Sequence, residues 1–236
     1  MQHNPTADES PLRTHRAICS FVRRQGRFTQ GQQQALQRYW PLMGIDDQLP
    51  LEPLTAHFGR EAPLVVEIGF GMGASLVTQA CAQPHYNFLG IEVHLPGVGA
   101  CLAAAQQAGV TNIRVIKQDA VLVLTERLAD QVVDRLQLFF PDPWPKARHH
   151  KRRLVQRPFI DLLQRKLKVG GLLHLATDWY PYAQQMLDSL QTHSGYQNVA
   201  ATGEYLPRPA WRPLTKFERR GHRLGHDVWD LLFQRL

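Results

Sequence analysis

Between Leu64 and Phe140, short apolar runs alternate with longer segments in which apolar residues recur every three or four positions. Residues 64–68, 87–93, 112–118 and 134–140 read as strands, and 74–82, 97–108 and 121–130 as the helices between them. The pattern continues with a helix over 158–168, carrying cations in its last turn and stopped by Gly170 and Gly171. A strand over 172–176 and a helix over 181–193 come next, and strands at 196–201 and 228–233 flank an arginine- and proline-rich insertion at 207–223. Such alternation predicts right-handed crossovers and a parallel sheet. The last strand returns after a long connection, so the expected fold is α/β: a doubly wound, seven-stranded, mostly parallel sheet with an antiparallel last strand. Upstream, a polar lead-in precedes an arm carrying Arg13, Arg16, Arg23, Arg24 and Arg27. A helix over 30–39 ended by Pro41 and a proline-punctuated connection follow. The expected division is a flexible basic arm and connection at 1–62 and one domain at 63–236.

The first strand breaks into Gly69, Gly71 and Gly73 before a helical pattern begins. Strand, tight turn and helix N-terminus in that order let the backbone approach a ligand while free N–H groups point at it, as a nucleotide-like cofactor requires. Because Gly69, Gly71 and Ala74 also satisfy G-x-G-x-x-G/A, the glycines alone leave NAD and S-adenosylmethionine both open. Glu67 favours the second, since a carboxylate before the turn repels a pyrophosphate and suits ammonium and sulfonium groups. In a doubly wound sheet, ligands bind beyond the strand C-termini near the switch point. Five successive strands deliver a carboxylate to that edge: Glu67, Glu92, Asp119, Asp142 and Asp178. Glu92 stands where a Rossmann-like site places its acid on the ribose hydroxyls, and Asp119 would reach the adenine amino edge. Taken singly, each acid is also explained as a solvated loop residue or a helix N-cap.

Charge narrows the partner. Lys and Arg number 27 against 20 Asp and Glu, a formal charge of +7, which favours a polyanion and leads with nucleic acid. The cysteines, Cys19, Cys81 and Cys101, have neither C-x-x-C spacing nor an even count, as expected of reduced thiols in the cytoplasm. No run approaches eighteen apolar residues, so neither a signal peptide nor a membrane span is expected, and no metal-ligand spacing is present.

After the fourth strand, Phe140-Pro141-Asp142-Pro143-Trp144-Pro145-Lys146 places three alternating prolines around one acid and one aromatic. The prolines fix φ and remove donors, which suits a loop that holds a reacting group. Trp144 at an exposed loop tip would be costly without something to stack on. Lys146, Arg148, Lys151, Arg152 and Arg153, with His149 and His150, then form a cation run expected to contact phosphates.

Together, Glu67-Ile68-Gly69-Phe70-Gly71-Met72-Gly73, Gly90-Ile91-Glu92-Val93, the loop from Phe140 to Lys146, Thr177-Asp178 and Thr215-Lys216-Phe217-Glu218-Arg219-Arg220-Gly221 resemble the bacterial tRNA (guanine-N7)-methyltransferases. The likeness runs from about Arg13 to the C-terminus. It implies a class I, Rossmann-like methyltransferase that uses S-adenosylmethionine to modify the variable-loop guanine at tRNA position 46. It further implies Glu67, Glu92, Asp119 and Asp142 at the cofactor, beside the turn formed by Gly69, Gly71 and Gly73, with Asp142 catalytic. Lys146, Asp178, Thr215, Lys216, Phe217 and Glu218 would meet the substrate, and Arg148, Lys151, Arg152 and Arg153 the RNA. A cytoplasmic monomer or weak dimer with tRNA as partner is expected. Three other readings fit less of the sequence: a methyltransferase for an exocyclic amine, a non-enzymatic RNA-binding protein on the same scaffold, and an NAD oxidoreductase. In the first, two prolines follow the acid directly, whereas here Trp144 separates Pro143 from Pro145.

Overall fold

A computed structural model of the chain describes residues 28–48, 50–215, 218, 219, 223, 225 and 227–236. The arm arginines, Lys216 and Phe217 lie outside the described residues. Seven strands, β1 (Leu64–Ile68), β2 (Asn87–Ile91), β3 (Ile113–Ile116), β4 (Val133–Phe139), β5 (Leu167–Thr177), β6 (Tyr196–Asn198) and β7 (Trp229–Arg235), form one sheet in the order β3-β2-β1-β4-β5-β7-β6. The first five pair in parallel, and β7 runs antiparallel between β5 and β6. Winding reverses between β1 and β4, which places the switch point there, as the alternating pattern predicts.

The two faces of this sheet differ chemically. Register aligns Val66, Leu136, Leu173 and Phe233 in a row across four strands, and all four are fully buried. Around this row pack α6 (Arg157–Lys166) and α7 (Tyr180–Gln191), through Phe159, Ile160, Leu163, Tyr182 and Met186. One residue along, the adjacent row points to the other face and reads Gly90, Glu67, Gln137, His174, Leu232. A parallel sheet covered on both sides is ordinarily apolar throughout, so three buried polar residues in one row set this face apart from the other. That face is covered over β1 to β3 by α3 (Ala74–Ala82), α4 (Leu95–Gln107) and α1 (Gln30–Met43).

Several expected boundaries shift. The first helix does not end at Pro41: Thr29 opens it with a capping box and it continues to Met43, where Gly44 N–H closes onto Trp40 O at 2.7 Å. A proline in the last turn costs one terminal hydrogen bond, and the packing of α1 on α4 outweighs that loss. Nor is the segment before Pro63 a loose connection throughout. Ile45, Leu51 and Phe58, the last residue of a short helix α2 (Leu54–Phe58), are buried in the main core, and Gly44 bridges to Val115 at the sheet's edge. The helix expected over 121–130 is one α-turn, α5 (Ala120–Leu122), passing into a π-helical turn at Val123–Arg127 that closes with Leu128 N–H on Val123 O at 3.1 Å. The helix expected over 158–168 ends at Lys166 and passes directly into β5, so Gly170 and Gly171 lie inside a strand. Lys166 is drawn inward to Leu128 O (2.7 Å) and Asp130 (2.5 Å), and Leu167 already pairs with Val133, which pulls the chain into extended backbone early.

Candidate active site

The turn after β1 is the cradle expected from its glycines. Gly69, Gly71 and Gly73 have φ of 70°, 58° and 78°, values that L side chains rarely adopt, and Gly73 caps α3. A Cβ at Gly69 or Gly71 would meet nothing within 4 Å among the described residues, so the turn's outer side offers a ligand close approach. Its inner side is filled: a Cβ at Gly73 would lie 2.4 Å from Cys101 Cβ, and one at Gly97 would lie 2.1 Å from Gly71 O. Gly97, read in the sequence only as a helix start, is therefore what lets α4 press against the turn. Open glycine backbone beside carboxylates suits S-adenosylmethionine, so the residues present fit this group.

The five strand-end acids occupy one edge in unlike environments. Glu67 is only 2% exposed, and its Oε2 accepts from Gln137 Nε2 at 2.9 Å and Gln79 Nε2 at 3.3 Å. Burial pushes its carboxyl up to about 7, against the opposing pull of the Gln137 hydrogen bond and Arg135. Glu92, directly after β2, is buried and braces the turn: Oε2 accepts from Gly71 N–H at 2.8 Å, and Oε1 accepts from Val93 and His94 N–H at 2.7 and 2.9 Å. Asp119 Oδ1 is the N-cap of α5, accepting from Val121 and Leu122 N–H, and its Oδ2 takes no part in the cap. Asp142 and Asp178 are exposed beyond β4 and β5.

Around Asp142 the backbone is strained. Phe140 and Trp144 have φ of 53° and 45°, uncommon for any residue with a side chain and costly for bulky ones. Two clamps hold the loop in this state. Phe140 N–H donates to Ala176 O at 2.8 Å, and Arg153 Nε donates to Pro143 O at 2.8 Å. Trp144, expected at an exposed tip, is half-buried, with the Arg152 guanidinium 4.9 Å over its ring and His149 edge-on at 5.8 Å. His149 is held below its ordinary value by desolvation and by the cations Arg148, Arg152, Lys146 and Lys151.

One residue of the cation run departs from its expected role. Arg153 is only 4% exposed: besides Pro143 O it donates to Gln185 Oε1 at 2.5 Å and covers the Tyr182 ring at 4.8 Å. Its place at the end of a 3-10 turn (Ala147–Arg152), entering α6, rotates it away from the exposed Lys146, Arg148, Lys151 and Arg152. Burial pushes the Tyr182 hydroxyl up to about 12, with Asp142 adding a little to the rise.

A second cluster joins the insertion to the polar face. Arg212 is 1% exposed and forks onto Asp230 of β7, Nε to Oδ1 at 2.6 Å and Nη2 to Oδ2 at 2.7 Å. Nη2 also pairs with Glu218 Oε1 at 2.7 Å. Glu218 Oε2 accepts from Thr215 N–H at 2.9 Å and Thr215 Oγ1 accepts from Glu218 N–H at 3.1 Å, so a capping box is formed. Behind it, Trp211 Nε1 donates to His174 Nδ1 at 3.3 Å, which leaves the imidazole proton on Nε2 to donate to Asp230 Oδ1 at 2.7 Å. Burial holds His174 below its ordinary value, consistent with a neutral ring. Sequence reasoning missed Trp211, Arg212, His174 and Asp230, whose positions in the chain carry no shared motif. A lone aspartate and a lone histidine within apolar strand runs were the available signals.

Among the described residues, no group of three His, Cys, Asp or Glu could hold a metal ion, and no helix is long and apolar enough to cross a membrane.

Fold and site together define an α/β protein of the Rossmann-like methyltransferase class. Solved structures agree on the fold. The antibiotic-resistance methyltransferase Kmr superposes with a TM-score of 0.55 at 15% identity, covering 80% of this chain and 94% of that one. A mutant of the 16S rRNA (adenine(1408)-N(1))-methyltransferase from Catenulisporales acidiphilia gives 0.55 at 17% identity, covering 81% and 95%. Residues 61–231 match the family model Methyltransf_4, described as "Putative methyltransferase". Curated proteins named tRNA (guanine-N(7)-)-methyltransferase, from Serratia proteamaculans (strain 568) and Yersinia enterocolitica, are each 60% identical over 232 residues, covering 98% of this chain and 97% of theirs. The chain belongs to the bacterial tRNA (guanine-N7)-methyltransferase family.

Proposed function

We propose that this protein transfers a methyl group from S-adenosylmethionine to N7 of the variable-loop guanine, position 46, of tRNA in the cytoplasm. One observation carries the reading: the open glycine turn leaving β1 and the clamped acidic loop leaving β4 lie side by side at the switch point, within a chain of this family. When bound, S-adenosylmethionine supplies an electrophilic methyl on a sulfonium. The turn's backbone and Glu92 would hold it, and Glu67 would complement its positive charge from below.

Guanine N7 carries an in-plane lone pair and no proton, so the protein needs no general base. What it must provide is alignment and exclusion of water. Asp142, on a loop that cannot relax because Phe140 and Pro143 are both tied down, is suited to accept guanine N1–H and N2–H and to offset the positive charge that the ring acquires. Asp178 and the turn formed by Thr215 and Glu218 would close the other side of the base. Lys146, Arg148, Lys151 and Arg152 present exposed charge to phosphates. With Arg152 over the Trp144 ring, this basic surface is mechanically coupled to the loop.

The test is incubation with unmodified tRNA and labelled cofactor, followed by nucleoside analysis. Label should appear as 7-methylguanosine, and tRNA carrying 7-deazaguanine at the target should bind and remain unmethylated. Methylation of the 7-deaza substrate at an undiminished rate would replace N7 by an exocyclic amine as the acceptor.

A further inference from the structure

We propose that Arg212 is a positioning residue for methyl transfer, acting as a latch that fixes the Thr215–Glu218 capping box against the first residue of the Asp142 loop. This rests on the reading that Asp142 and the capping box hold the target guanine. Arg212 reaches both sides at once. Its Nη2 pairs with Glu218 Oε1 at 2.7 Å, and its guanidinium carbon lies 5.6 Å from the ring centroid of Phe140 and 5.7 Å from that of Phe139. Asp230 aims it: the two-pronged contact on Oδ1 and Oδ2 leaves the guanidinium little rotational freedom. Asp230 is in turn held by His174 Nε2, and His174 by Trp211. The base of the latch is thus a strand residue, and its two ends are the strained Phe140 and the capping carboxylate.

Geometry explains why arginine stands here. A fork must serve two carboxylates, and a flat face must pack on aromatic rings; lysine offers a single ammonium and no plane. Glu218 is likewise divided, with Oε2 on Thr215 N–H and Oε1 on Arg212, so losing the arginine frees the capping box as a unit without dissolving it. Among the described residues, nothing in this arrangement touches the glycine turn, Glu92 or Asp119; its one link to the cofactor side runs through Phe140 to the Asp142 loop, so the effect should fall on transfer far more than on cofactor binding.

The test is Arg212→Lys, measured by far-UV circular dichroism, cofactor affinity by calorimetry, and single-turnover transfer to saturating unmodified tRNA well below the unfolding temperature. We expect native ellipticity, cofactor affinity within about twofold, and a transfer rate reduced on the order of 10²-fold, the cost of a small misplacement of reacting groups. Glu218→Gln should lower the rate in the wild-type background and add little in the Arg212→Lys background, because both break one link. Should Arg212→Lys fail to fold, Asp230→Asn, which keeps shape and loosens the latch, gives the same comparison. An unaltered rate in a folded variant, or fully additive effects, overturns the latch. Wild-type enzyme on the same tRNA is the control that separates the two ideas: if it transfers no methyl, the proposed function fails and the latch has not been the cause.

Discussion

Replacing Glu67 by glutamine should stabilise the cofactor-free protein, by an amount that depends on pH. In the folded state the carboxyl is pushed from 4.5 up to about 7, so the folded protein holds a proton that the unfolded chain releases. A raised carboxyl therefore contributes most stability at low pH, and that contribution is lost as pH rises from 4.5 through 7. Each pKa unit corresponds to about 1.36 kcal/mol, so the penalty reaches about 3 kcal/mol at pH 8 and stays under about 1 kcal/mol at pH 5. Glu67→Gln removes the ionisation and keeps the shape. Gln79 Oε1 and Gln137 Oε1, both buried and without hydrogen-bond partners among the described residues, belong to the two amides already bonded to Glu67, and a turn of either amide lets it accept from the new one. At roughly 2–4 °C per kcal/mol for a chain of this size, Tm should rise by about 6–12 °C at pH 8 and only slightly at pH 5. His174 titrates with the opposite sign, since a depressed imidazole loses stability as pH falls below 6.5, so the quantity to compare is variant minus wild type at each pH. Denaturant unfolding at pH 5, 6.5 and 8 measures it. An equal difference at all three would mean that Glu67 ionises normally and the burial argument is wrong. The same variant should bind S-adenosylmethionine more weakly, because the buried countercharge is gone.

Three further outcomes follow from the site. Glu92→Ala strips the acceptor from Gly71, Val93 and His94 N–H and should weaken S-adenosylmethionine binding at least about tenfold, one charge-assisted hydrogen bond being worth about 1.5–3 kcal/mol; unchanged affinity by calorimetry removes Glu92 from the site. Gly97→Ala should reduce cofactor affinity and lower stability by about 1–3 kcal/mol, since its Cβ would displace the Gly71 carbonyl, and a Tm and affinity equal to wild type would refute that close approach. Arg152 and Arg153 should separate. Arg152→Ala should raise the KM for tRNA and reduce the salt dependence of binding by roughly 0.7–0.9. Arg153→Ala should cost about 2–3 kcal/mol of stability through the lost Pro143 and Gln185 bonds, and a thermal melt that leaves it equal to Arg152→Ala contradicts the inward placement.

Local patterns in the sequence determined much of this protein. At 64–82 a short apolar run, three glycines and a helical period gave a strand, a turn and a helix, because backbone conformation there responds to the few residues beside it. The ends of the first five strands could thus be read in order, and with them the carboxylate-lined edge. Prolines around Asp142 likewise announced a rigid loop. Only the tertiary structure decided how those acids divide. Glu67 and Glu92 are buried and bonded, whereas Asp142 and Asp178 are exposed, because depth depends on which neighbouring elements cover a strand end. The same reason turned Arg153 inward while Arg152 stayed outside, within one charge run whose sequence pattern offers no distinction between them. The latch was invisible for a stronger reason. Arg212, Glu218, Asp230 and His174 come from an insertion and two strands that become neighbours only because β7 inserts beside β5, and no local periodicity encodes that pairing. Once they are brought together away from water, a buried cation must find its carboxylates, and it is this requirement, set by the sheet's order, that joins the insertion to the site.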